Sequence, residues 1–71
     1  MAAGDHCLAS RRVLDGAPVG LMYRERAFAA EDSGWRFFAG DEDGGYAADP
    51  RNVPFVPLAD VAERHPEVRS W

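Results

Sequence analysis

Two turn-forming clusters, Asp32-Ser33-Gly34 and Gly40-Asp41-Glu42-Asp43-Gly44-Gly45, bracket the densest aromatic run of the chain, Trp35-Arg36-Phe37-Phe38-Ala39. Side chains alternate across a strand, so Trp35, Phe37 and Ala39 share one face and Arg36, Phe38 and Gly40 share the other. Apolar residues on both faces predict a central strand covered on both sides, at least near Phe38. The side-chain oxygens of Asp32 and Ser33 suit the preceding turn, where they accept hydrogen bonds from backbone N–H groups. A chain of 71 residues lies close to the smallest size that sustains its own core. One such strand is then enough to organise it, with Trp35 and Phe37 at the centre. A loose tail over residues 1–6 and a single domain over residues 7–71 are expected.

The flanking segments supply partners for that strand. Cys7-Leu8-Ala9-Ser10 reads as a short first strand, with Ser10 capping one turn, Arg11-Arg12-Val13-Leu14, that Asp15-Gly16 ends. Val19 to Arg26 alternates with period two. Val19, Leu21 and Tyr23 point one way and Gly20, Met22, Arg24 and Arg26 the other, a half-buried strand. A connection of eight residues separates it from Trp35, and an antiparallel pair is the simplest topology. Ala27 to Glu31 is too short for a stable helix and reads as a loop or single turn, and Tyr46-Ala47-Ala48 as a brief extended piece. Pro54 cannot donate to a ladder, so Asn52 to Pro57 suits an edge strand or a bulge. Leu58, Val61, Ala62 and His65 repeat at helical spacing, and Pro66 ends that helix. The predicted class is α+β: a small antiparallel sheet of three to four strands with one short C-terminal helix on a face.

Composition narrows the chemistry. Twelve acids against eight arginines, with no lysine, leave a net charge of -4. That is a poor match to a phosphate backbone, which needs a basic stripe, and a better match to a basic surface; no nucleic-acid partner is expected. The single cysteine, Cys7, excludes an internal disulfide and fits a reducing cytosol. Met1 to His6 has neither a basic region nor an apolar segment, so no signal peptide is expected. No apolar run approaches the ~20 residues that cross a bilayer.

Specific sites fail on spacing. Cys7 and His6 are adjacent on an extended segment and point to opposite faces, so a thiolate pair is disfavoured and a buried structural cysteine is expected. His65 is the only other histidine, which leaves a zinc set short of ligands. With Asp41 as position 1 of a calcium loop, Gly45 falls where a ligand belongs, Tyr46 on the glycine position and Asn52 on the final glutamate. The G-x-S-x-G spacing of a hydrolase elbow is absent around Ser33, and no Gly-Lys-Ser/Thr exists to cradle a phosphate. Neither metal nor cofactor nor catalysis is expected. Trp35, Phe37, Phe38, Tyr46 and Phe55 fit a core first and a protein-binding surface second. Arg24, Arg26 and Arg36 are expected on one sheet face, against Asp32, Glu25 or the acidic turn.

Cys7-Leu8-Ala9-Ser10, Gly20-Leu21-Met22-Tyr23-Arg24-Glu25 and the run from Asp32 to Glu42 together resemble the signature of the bacterial immunity protein 33 family. Asn52, Leu58 and His65-Pro66-Glu67-Val68 match it in order, so the resemblance extends from Cys7 to the neighbourhood of Val68. It implies a cytoplasmic, non-enzymatic antidote that binds and blocks a cognate toxin domain made by the same cell, and it carries over no catalytic residue. On this reading Asp41, Glu42, Asp43 and Asp49 present acidic charge to a basic toxin cleft, and Arg24 and Arg36 add partner contacts. Asp32, Ser33, Gly34, Trp35 and Phe37 then serve the fold. So small a core also leaves room for stabilisation by a dimer. The alternative is a stand-alone regulatory or small-ligand-binding domain with an aromatic pocket around Trp35.

Overall fold

The structure, a computed structural model, describes residues 4–70. Strand β1 spans His6–Ala9, helix α1 Arg11–Leu14, β2 Leu21–Arg24, β3 Asp32–Phe38, α2 Gly44–Ala48, β4 Phe55–Pro57 and α3 Leu58–Arg64. Single 3-10 turns cover Pro50–Asn52 and Pro66–Ser70. The four strands form one sheet in the order β2-β3-β1-β4. The class is α+β with a short C-terminal helix, as expected. Two pairs, β2/β3 and β1/β4, are antiparallel, whereas the central pair β1/β3 is parallel. The chain leaves β1 through α1 and β2 before entering β3, long enough a connection to bring β3 back in the same direction. Of the tail expected over residues 1–6, residues 1–3 lie outside the described residues; Gly4 donates to Ala30 O at 2.9 Å and His6 opens β1.

Local chemistry explains most boundaries. Ser10 caps α1 by accepting from Val13 N at 3.3 Å. Residues 46–48 are helical rather than extended, because Asp43 accepts from Tyr46 N at 2.7 Å and caps α2. Pro54 and Pro57 confine β4 to the sheet edge. The C-terminal helix ends at His65, whose Nε2 lies 2.8 Å from Val13 O and ties α3 to α1.

One face of the sheet is covered and the other is open. Cys7, Ala9 and Phe37 point toward α1 and α3, and with Val13 and Val61 they form the fully buried core. Trp35 and Met22 pack at its margin, half-buried. Register then fixes the opposite face: Tyr23 sits across from Arg36, Leu21 from Phe38 and Phe55 from Leu8. Coverage of β3 on both sides was expected from its apolar run. On the second face the buried side chains are Arg36 and Asp32, covered by Phe28 and Glu25 of the loop before β3, and α2 borders that face at one end through Ala47. Met22, not Leu21 or Tyr23, is the residue of β2 that meets the core.

Candidate functional site

β3 opens on a bulge. Two steps along β1, from His6 to Leu8, are matched by four along β3, from Asp32 to Arg36. In a regular strand, residues four apart are ~13 Å apart; the bulge draws Asp32 and Arg36 together. Gly34 makes it possible, with φ +90° and a position where a Cβ would run into the carbonyl oxygen of Glu25. Arg36 grips Asp32 with both ends of its fork, Nη1 to Oδ1 at 2.9 Å and Nη2 to Oδ2 at 2.8 Å. Its Nε donates to Glu25 Oε2, and Nη1 also reaches Trp35 O at 3.0 Å. Asp32 accepts in addition from Gly34 N at 2.9 Å and Phe28 N at 3.1 Å.

This ion cluster is buried, with Asp32 3% and Arg36 2% exposed. The Arg36 hydrogen bonds hold the Asp32 carboxyl far below the usual range; burial opposes them, and the Gly34 and Phe28 N–H groups reinforce them. Asp32 in turn raises the Arg36 guanidinium, against burial and with help from Glu25. Both groups stay charged, and among the described residues no buried side-chain nitrogen or oxygen lacks a partner. Four of the five Arg36 N–H donors are engaged within the chain, and the side chain is almost wholly buried. Arg24 does not share its face: it lies across from Trp35, its guanidinium 5.6 Å over that ring and its Nε 3.2 Å from Ser33 O. The expectation of three arginines on one face fails because neighbours in a ladder alternate. Arg24 follows Tyr23, which sits across from Arg36, and Arg26 lies beyond β2.

The acids named from sequence are engaged locally. Asp41 pairs with Arg12 at 2.8 Å, both exposed. Glu42 folds back to accept from Ala39 N at 2.8 Å and Gly40 N at 2.9 Å. Burial works to raise its carboxyl, but bonds from the Ser10 hydroxyl and those N–H groups prevail and bring it down to about 2. Asp43 caps α2. Asp49 caps the following 3-10 turn and holds Arg51 through Nε at 3.1 Å and Nη2 at 2.8 Å; the Arg51 side chain, then its N–H, lowers the carboxyl.

On the covered face, Trp35 and Phe37 line a cleft of about 260 Å³ with Met22, Leu58, Ala59, Ala62 and Val68. Cys7 is fully buried, and desolvation pushes its thiol up to about 12. It is a neutral thiol at physiological pH, no nucleophile. Among the described residues there is no group of three or more His, Cys, Asp or Glu that could hold a metal ion, and no helix long and apolar enough to cross a membrane.

The open face carries every large hydrophobic residue that is exposed among those described: Leu21 at 49%, Tyr23 at 43%, Phe28 at 62% and Phe55 at 38%. Phe28 packs tilted against Phe55 at 5.0 Å, while Phe55 stacks on His6 at 4.9 Å and Tyr23 on Phe38 at 6.3 Å. Arg36, 5.7 Å from the Phe28 ring, joins the two halves. Sequence reasoning passed over Leu21 and Phe28 as surface candidates. The signal lay in β3, where Asp32, Gly34 and Arg36 repeat with period two and mark that face as something other than core.

No curated protein and no solved structure matches the chain. The family described as Immunity protein Imm33 domain matches it over residues 7–71, the span that contains the bulge, the ion cluster and both sheet faces. The chain belongs to this family of immunity proteins.

Proposed function

We propose that this protein is an intracellular antidote that binds a cognate toxin domain and blocks it without chemistry of its own. Its membership of the Imm33 immunity family over residues 7–71 carries the reading. The buried chemistry agrees: the cysteine is a neutral thiol, and the Asp32–Arg36 pair is locked into the bulge. The work left to such a chain is surface recognition in the cytoplasm. Asp41, Glu42, Asp43 and Asp49 are held by internal bonds and act as a fixed acidic field, in a chain of net charge -4, that speeds encounter with a basic toxin cleft. Arg24, packed over Trp35, and Arg36, held in the ion cluster, support the fold.

Co-expression with the candidate toxin domains of the same genome tests the proposal. Growth is restored and the two proteins co-purify; toxicity that persists with no complex would overturn it. A second reading, a pocket for a small apolar ligand at Trp35, draws on the cleft of about 260 Å³. Drug-sized ligands occupy roughly 300–1,000 Å³, so only a very small ligand fits. Titration of Trp35 fluorescence with short-chain apolar acids and alcohols tests it, a flat response ruling it out.

A further inference from the structure

The geometry points to the open sheet face, with Glu42 at its rim, as the anchor of the complex, and to a basic protein surface that inserts an arginine or lysine as its occupant. The inference rests on the immunity reading and names its contact site. Leu21, Tyr23, Phe28 and Phe55 expose on the order of 400 Å² together, given the 150–250 Å² such aromatic side chains carry. That lies within the roughly 300–600 Å² of a typical monomer's largest patch, which is often functional, and suits the apolar centre of an interface that buries ~800 Å² per partner.

Charge selects the occupant. Arg36 on this face is buried and held by two carboxylates, Asp32 and Glu25, so the cluster carries a net negative charge. At the β2 end a cavity of about 190 Å³ is walled by Leu21, Tyr23, Phe38, Gly40 and Ala47, with Glu42 at its side. Apolar walls around one carboxylate match a long cationic side chain, its stem against the rings and its head at Glu42. Glu42 is already oriented by Ala39 N and Gly40 N, so it loses little freedom on pairing. A second copy of this chain would bring another net charge of -4 to this face, and that repulsion disfavours the dimer.

The test measures binding of the full chain to an inactivated form of the toxin domain that the co-expression experiment identifies. Tyr23→Thr keeps strand propensity and Phe28→Ser lies in a loop; thermal melts confirm that both fold. Each should raise Kd at least about 10-fold, as loss of an interface anchor does, and wild-type affinity should fall steeply between 50 and 500 mM salt, on the order of the screening change. Wild-type binding with both variants unchanged would overturn the anchor while the immunity reading stands. Salt-independent binding would overturn the basic partner. A wild-type dimer in sedimentation that both variants disperse would make the occupant a second copy. No binding by wild type would bring down the immunity reading, and this surface with it.

Discussion

Replacing Asp32 with asparagine leaves the Arg36 guanidinium buried opposite a neutral amide, with only the half-exposed Glu25 as counter-charge. Breaking one side of a buried pair typically costs about 3–5 kcal/mol. For a domain of this length the total stability is roughly 4–10 kcal/mol, so Asp32→Asn should leave the chain close to its unfolding threshold. Urea unfolding would show it as a midpoint shifted strongly downward. A double variant, Asp32→Asn with Arg36→Leu, removes the stranded charge and should recover much of that loss. If the single variant keeps the wild-type midpoint, the pair contributes nothing and its burial is incidental.

At the scale of elements, the β3 bulge depends on glycine and the α2 turn does not. Gly34 has φ +90° and no room beside the Glu25 carbonyl. Gly34→Ala should destabilise by at least about 2 kcal/mol, from the left-handed backbone and the collision together. Gly44 opens α2 with nothing within 4 Å of an added Cβ. Gly44→Ala should therefore stabilise by about 0.5–1 kcal/mol. Thermal unfolding of the two variants side by side checks the contrast: Tm falls for one and rises for the other.

For the whole molecule, acid is the condition that loosens the structure. Asp32 and Glu42 are more acidic folded than unfolded, so between the two values the unfolded chain binds more protons and stability falls as pH is lowered. For Glu42 the loss runs from its ordinary 4.5 down to about 2; for Asp32 it begins below its ordinary 3.8. Stability is complete above these values. Urea midpoints measured from pH 6 to pH 2 should fall through this window, and Glu42→Gln should flatten part of the slope. At the other end, Cys7 stays protonated when folded up to about 12 but ionises above 9.0 when unfolded, so stability declines again in alkali.

Much of this was readable along the chain because it is local. Ser10 as a cap, the helix from Leu58 with Val61 and His65 inward, and β4 as an edge strand follow from spacing, capping chemistry and proline. So does the antiparallel β2/β3 pair, and the family was legible in the Tyr-Arg-Glu and Asp-Ser-Gly-Trp runs. Tertiary structure decided which way each strand faces and which strands are neighbours. The parallel β1/β3 pair, the turn of Leu21 and Tyr23 to the open face and the seat of Phe28 on Phe55 join residues far apart in sequence. Alternation divides a strand into two faces without saying which is inward. Aspartate, serine and glycine ahead of Trp35 promised a turn. The fold made them a bulged strand end instead, because β1 supplied a ladder and Arg36, pairing with Asp32 across Gly34, supplied the charge to hold it.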